Sequence, residues 1–326
     1  MPDSDSQGAI SLEDFGIEGG DGYSSSNAVA GVARVVRTEF VTPRVRRITA
    51  TSDELAKLPP DLGWNRPFRA YFSKPGFYDK VYVPDIESNG LFGDTFALDQ
   101  EYAVVRAYTI RRLDRRAREL DVDFVLHEHG ISSKWAASAE EGSGFGFLIS
   151  KLEMFAPPLP DVDCMLLFGD ETAIPHIANT LGALDEGCRA IVLIEVADKD
   201  EEQRLDTGPN VSVQWVHRDG APPGRSGKLE EAVRSLPWPE GRVHVFVAAE
   251  TKVVGAIRRF IRQEHELVRK MFTDPEVDAS TYEVAAYWRL GLTTDEDVRL
   301  RAGRTMQRVA EGASVLDILE EDLDAD

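Results

Sequence analysis

Up to about residue 156, apolar and polar positions alternate in short runs bounded by Pro, Gly or Asp, the pattern of strands buried on one face. The runs are "VARVVRTEFVTP", "RVRRITATS", "FRAYFS", "KVYVP", "YAVVRAYTIRRL" and "ELDVDFVLH", rich in the β-branched and aromatic residues that fit a pleated surface. Strands at this spacing, with helices scarce, predict an antiparallel barrel. The pattern breaks at "APPLPD", residues 156–161, as a linker would. Beyond it, continuous apolar runs alternate with helical periods: "CMLLFGD" then "AIPHIANTLGAL", "RAIVLIEVA", "VSVQWVHR" then "KLEEAVRSL", "RVHVFVAAE" then "VVGAIRRFIRQEH". Strands apolar on both faces and followed by helices predict an open parallel sheet covered on both sides. The expectation is a two-domain β + α/β chain, an N-terminal antiparallel β-barrel over residues 28–156 and an α/β domain over 161–291. Residues 1–27, rich in Gly, Ser and acid, read as a disordered leader, and 292–326 as an acidic helical tail carrying Val315, Leu316 and Leu319.

Length and charge narrow the function. A chain of 326 residues accommodates two domains with real cores. With 37 Lys and Arg against 57 Asp and Glu, its formal charge of -20 opposes non-specific attraction to nucleic acid or anionic membrane. Any anionic ligand needs a local basic pocket. Cys164 and Cys188 form no CxxC pair, so neither an iron-sulfur cluster nor a zinc site is expected, and both read as core thiols. No apolar run reaches the length of a membrane span and no signal peptide is visible, so the expected location is the cytoplasm, without membrane insertion.

Three stretches carry candidate chemistry. In "VVRAYTIRR" the alternation puts Arg106, Tyr108 and Ile110 on one face and Ala107, Thr109 and Arg111 on the other. Such a strand is either an arm of an exposed hairpin or a bed for a flavin, with a ring to stack, a hydroxyl and a guanidinium to clamp pyrophosphate. "HEHGISSKWAASAEEG" offers Gly130, with Ser132 and Ser133 as helix caps, and a helix N-terminus suits a phosphate. His127 and Trp135 read first as structural residues. In "CMLLFGDETAIPHIANTL" the chain leaves a strand through Gly169, Asp170, Glu171 and Thr172 and enters a helix near Pro175. Nucleotides bind at such turns in α/β domains, although two acids there oppose a pyrophosphate.

"RAYTIRR", "LDVDFVLHEHGISSKWA", "LLFGDETAIPHI", "IEVAD", "WVHR" and "AAYWRLG" stand in this order. Together they resemble the siderophore-interacting proteins, FAD-dependent ferric-siderophore reductases of the ferredoxin-reductase-like superfamily. "VVRTEFVTPRVRRITATSDEL" resembles that family's opening strands, so the resemblance spans about residues 32–291. It implies that the barrel binds FAD, that the α/β domain takes NADH or NADPH, and that iron leaves a ferric siderophore as Fe(II). Position by position, it implies that Tyr108 flanks the isoalloxazine, that Thr109 lies near its N5 and that Arg106 and Arg111 hold phosphate. Asp123, His127, Gly130, Ser133, Trp135 and Ala136 match the family's second cofactor segment. Gly169, Asp170, Glu171, Thr172 and Pro175 match the turn facing the nicotinamide dinucleotide, and Glu250, Tyr287, Trp288 and Arg289 match the segment that closes the site.

The match is incomplete at "AEEGSGFGFLISKLEMF", where the family shows a Pro-Gly-Asp turn and a Gly-Pro loop, and at "AAETKVV", which lacks the Gly before Glu250. Lys80 occupies the place of a family Lys and faces the flavin edge or solvent. Arg259 and Arg262, close in angle on one helix, are offered to substrate or to solvent, while Arg115, Arg116 and Arg118 read as a solvated hairpin tip. Alternatives are a general NAD(P)H flavin or ferredoxin-type oxidoreductase, and a siderophore carrier without activity. Ferredoxin is a further possible electron donor.

Overall fold

The structure, a computed structural model, describes residues 28–60, 62, 65–78, 80–84, 102–151, 162–185, 187–264 and 282–293, with seven helical positions between 296 and 308. The expected leader, the linker at 156–161 and the apolar positions of the tail lie outside the described residues.

Seven antiparallel strands form the first sheet: β1 (Ala28–Thr42), β2 (Val45–Thr51), β3 (Pro67–Ser73), β4 (Ala103–Thr109), β5 (Arg112–Asp114), β6 (Glu119–Val125) and β7 (Gly144–Ser150). Their spatial order is β4-β3-β7-β1-β2-β6-β5, so β4 and β5, consecutive in sequence, lie at opposite edges. Ile110 and Arg111 join them. The Ile110 N–H donates to the Arg66 carbonyl (3.0 Å) and the Arg111 N–H to the Asp121 carbonyl (2.8 Å), so the link carries the chain from one edge of the sheet to the other and curls the sheet into a barrel around its core. Inward positions fill the barrel with Ile48, Phe72, Leu120, Phe124, Phe145 and Phe147. Helix α1 (Ile131–Ser138) plugs one end, with the Trp135 ring centroid 5.0 Å from Phe72 and 5.3 Å from Phe145.

Three strand expectations change. "YAVVRAYTIRRL" is two strands, broken where the barrel closes, and "KVYVP" is irregular over its described residues. The "GFGFLIS" segment, not among the expected strands, is β7, paired to both β1 and β3. Its glycines hid it, and the structure shows why one is needed: a Cβ on Gly146 would lie 1.7 Å from the Tyr82 carbonyl oxygen. Gly146→Ala should therefore push the 80–84 segment off the sheet and destabilise the protein by about 1–3 kcal/mol or more. An unchanged denaturant midpoint would show that this segment yields freely.

The second sheet is parallel, in the order β10-β9-β8-β11-β12. Its elements are β8 (Cys164–Asp170), α2 (Ile174–Ala183), β9 (Arg189–Val196), β10 (Val211–His217), α3 (Lys228–Ser235), β11 (Val243–Glu250), α4 (Thr251–Glu264) and β12 (Tyr282–Trp288). Successive residues of β8 serve opposite cores: Leu167 packs with Ile177 of α2, while Leu166 and Phe168 pack with Val233 of α3 and Ile257 of α4. This double burial explains the unbroken apolar runs. Strand order reverses at β8, which opens a crevice at the carboxyl ends of β8 and β11, the usual ligand position in such sheets. The barrel meets this unit through Thr42, whose hydroxyl donates to Glu201 (2.6 Å), and through Asn179 of α2, whose side-chain amide donates to the Ile110 carbonyl (2.8 Å).

Candidate functional site

On the barrel side, β4 and the first turn of α1 build one wall. Tyr108 packs with Phe124 (4.7 Å between centroids), Phe72 and Phe68, and its hydroxyl is hydrogen-bonded to Ser132. Burial pushes its pKa up to about 12, although the Ser132 bond and the Arg106 charge pull in the other direction. Arg106 is half-buried, with Nη1 donating to the Val105 carbonyl (2.7 Å). Gly130 precedes the helix at φ 98°, backbone that disfavours any residue with a Cβ. Among the described residues no side chain caps this N-terminus, so its first-turn N–H groups are donors suited to a ligand.

Ser132 and Ser133 are not the caps expected from sequence, because both lie within the helix. Ser133 Oγ accepts from the His127 N–H (2.9 Å) and donates to the His127 carbonyl (2.8 Å), closing the loop before α1. His127 itself lies at the surface against Gly130. Asp123 is buried and committed to Arg47 through two bonds of 2.7 and 2.8 Å. Lys80 is exposed, with its ammonium over the rings of Tyr102 (5.4 Å) and Phe77 (5.5 Å).

On the α/β side, the acids of the "GDETA" turn are largely neutralised. Glu171 receives two bonds of 2.7 Å from Arg218, a guanidinium 2% exposed that also lies 3.8 Å from Glu195. Asp170 accepts from the Thr172 N–H (2.9 Å) and from Trp288 Nε1 (2.8 Å). Burial, with Glu171 adding, raises the pKa of Asp170 well above the usual carboxylate range against the opposing pull of those bonds. The formal repulsion toward a pyrophosphate is thereby much reduced. Gly169 is buried beneath Ala173, and Pro175 sits in the first turn of α2.

Glu250 holds the far end of the crevice. Its carboxylate accepts from the N–H groups of Lys252 (2.6 Å), Val253 (3.3 Å) and Leu290 (3.0 Å), so it both starts α4 and pins the chain leaving β12. Arg289 continues this anchoring through Asp297 (2.7 Å) in the following helix. Tyr287 crosses to the barrel, where its hydroxyl is hydrogen-bonded to Thr109. Thr109, Tyr287, Trp288 and Asp170 thus form a continuous chain from β4 to the crevice.

Other candidates are set apart. Arg259 and Arg262 lie two and three turns past Thr251 on α4, which runs away from the carboxyl edge of the sheet, and Arg259 is exposed. The structure does not bring them to the crevice. Arg111 lies in the link between β4 and β5, 3.9 Å from Asp123 and beyond the strand that carries Arg106 and Tyr108. Arg115 departs from the expected solvated tip: it turns inward and donates to the Leu58 carbonyl, whereas Arg116 stays exposed and Arg118 pairs with Asp53. Arg218 was missed as a site residue, although it ends the "WVHR" motif.

Residues 162–291 match the family model described as siderophore-interacting protein, and residues 34–150 match that of the siderophore-interacting FAD-binding domain. A siderophore utilization protein from T. fusca is 30% identical by crystal structure, covering 82% of this chain and 95% of that one at a TM-score of 0.69. The chain belongs to the siderophore-interacting protein family. An uncharacterized protein of Mycobacterium tuberculosis is 38% identical over 200 residues, 59% of this chain and 67% of its own. Ferric vibriobactin reductase ViuB of Vibrio cholerae is 27% identical over 277 residues, 80% of this chain and 94% of its own.

The family's FAD fits the donors at this wall. A half-buried guanidinium at Arg106, uncapped N–H groups at α1, an aromatic ring at Tyr108 and a hydroxyl at Thr109 offer a cation, phosphate donors and a stacking surface. The Tyr108–Ser132 bond ties the strand and the helix into one wall.

Proposed function

We propose that this protein is an FAD-dependent reductase of ferric siderophores that draws electrons from NADH or NADPH, with reduced ferredoxin as the other candidate donor. The observation that carries the reading is the bridge from Thr109 through Tyr287 and Trp288 to Asp170, which joins the flavin wall of the barrel to the ligand crevice of the α/β sheet. FAD, when bound, supplies the exchange between the two-electron chemistry of a nicotinamide and the one-electron reduction of Fe(III).

The chain's own residues provide binding and electrostatics. Arg106 and the α1 amides hold the pyrophosphate, and Tyr108 offers its ring. Thr109 directs a hydroxyl across the cleft. Asp170 is held in place by Thr172 and Trp288, and the pairing of Glu171 with Arg218 lessens repulsion toward a dinucleotide. Lys80 adds a positive charge at the barrel surface for anionic chelates, and Arg259 and Arg262 remain candidates only for a chelate that reaches the flank of α4. No side chain is needed as a nucleophile.

Fe(II) binds most such chelators weakly, which lets iron leave after reduction. The reading places the reaction in the cytoplasm, where reduced nicotinamide is available. Among the described residues no helix is long and apolar enough to cross a membrane.

The test is to reduce the FAD-loaded protein anaerobically with NADH, NADPH and reduced ferredoxin in turn. Bleaching of the flavin by at least one nicotinamide is expected, and bleaching by ferredoxin alone would overturn the nicotinamide assignment.

A further inference from the structure

Where Ile110 and Arg111 close the barrel, a cleft of about 240 Å³ lies between the barrel and α2. Arg66, Arg111, Arg112 and Arg115 line it together with Asn179, and no carboxylate does. Four guanidinium groups around one small cavity run against the charge of a chain at -20.

Their compensation is uneven. Arg112 is satisfied by Asp121 (2.6 Å) and lies near Glu119 and Asp114. Arg111 is not so well served, because Asp123 spends both its oxygens on Arg47 and stands 3.9 Å from Arg111 Nε. That Nε is buried without a hydrogen-bond partner, as is Nε of Arg115. Asn179 Oδ1 lies 3.5 Å from Arg111 Nη1, while its amide is held by the Ile110 carbonyl. Burial, with the neighbouring Arg47 adding, lowers the pKa of Arg111 against the opposing charges of Asp123, Asp206 and Asp121. Half-buried guanidinium groups gathered round a cleft that no carboxylate lines are matched by oxyanions, which accept two parallel bonds.

We propose that this cleft binds a small oxyanion of the phosphate or carboxylate class, which bridges Arg111 and Arg115 and ties the barrel to α2. The volume sets the size limit, since it falls below the roughly 300–1,000 Å³ of pockets that enclose drug-sized molecules. A whole iron chelate is too large. The site is separate from the wall made by Arg106, Tyr108 and α1, and it does not depend on the reductase reading.

The experiment is isothermal titration of the FAD-loaded full chain, at low ionic strength, with inorganic phosphate and with citrate, against sodium chloride at matched ionic strength. Saturable one-site binding is expected for at least one of the two anions, with Kd of about 1 mM or tighter. Phosphate binding without citrate binding assigns a phosphate source, and the reverse assigns a carboxylate source. Arg115→Gln should weaken binding roughly tenfold or more by removing a charge-assisted donor, and Asn179→Asp should do the same by placing a carboxylate in the cleft. Arg116→Gln, which changes net charge equally at an exposed position on the same turn, should leave it unchanged. Flavin absorbance and circular dichroism report whether each variant is folded, and if Arg115→Gln is not, Asn179→Asp decides. Absence of saturable binding by either anion would overturn the proposal, as would equal weakening by Arg116→Gln or undiminished binding in the folded cleft variants.

Discussion

Arg218→Ala is expected to destabilise the protein by about 3–5 kcal/mol, the cost of removing one partner from a buried ion pair. The residue is 2% exposed, makes two 2.7 Å bonds to Glu171 and lies 3.8 Å from Glu195, itself 4% exposed. Without the guanidinium, two carboxylates at the carboxyl edge of the sheet have no cation between them. Arg218→Lys keeps the charge but cannot present two parallel donors, so an intermediate loss is expected. Denaturant unfolding with the native slope measures both. A loss below about 1 kcal/mol in Arg218→Ala would mean that the pair is solvated and contributes as a surface bridge does. The same substitution should weaken dinucleotide binding more than it alters the barrel, because the unpaired Glu171 would then repel phosphate.

Tyr108→Ala is expected to lose bound FAD and up to about 3 kcal/mol of stability, the lower end of the cost of truncating a large core aromatic, since Tyr108 is half-buried. Its ring meets Phe124, Phe72 and Phe68, and its hydroxyl joins β4 to α1. Tyr108→Phe separates the two contributions. It keeps the ring and removes one hydrogen bond, so stability should fall by about 1 kcal/mol and FAD should be retained at nearly the native level. Flavin absorbance per chain after gel filtration gives the occupancy of each variant. FAD retained at native level in Tyr108→Ala would contradict the placement of the cofactor on this wall.

How much of this was legible in sequence depends on the range of the interaction. Local patterns survived well: the alternation around Arg106 and Tyr108 defines β4, and the continuous apolar runs of β8, β9 and β11 are buried on both faces. Segments whose reason lies elsewhere did not. β7 was not among the expected strands, because the reason for Gly146 is the backbone of Tyr82, 64 residues earlier, for which it makes room. The two acids of the "GDETA" turn looked hostile to phosphate because their counter-charge, Arg218, is 47 residues away. Arg115 looked solvated for the same reason, its acceptor at Leu58 being 57 residues upstream. Ser132 and Ser133 have the composition of helix caps, yet tertiary partners at Tyr108 and His127 take their hydroxyls. Arg259 and Arg262 were grouped correctly by helical angle, but a helical wheel does not say which way α4 runs from the site.

The most direct test of the proposed reaction is to mix anaerobically reduced, FAD-loaded protein with several ferric siderophores and follow flavin reoxidation together with Fe(II) captured by a ferrous-specific chelator. Reoxidation by at least one ferric siderophore, with about two Fe(II) captured per flavin as the transfer of two electrons one at a time requires, is the expected result. Flavin that stays reduced with every ferric chelate, while soluble dyes reoxidise it readily, would contradict the ferric-siderophore assignment and leave a general NAD(P)H oxidoreductase in its place.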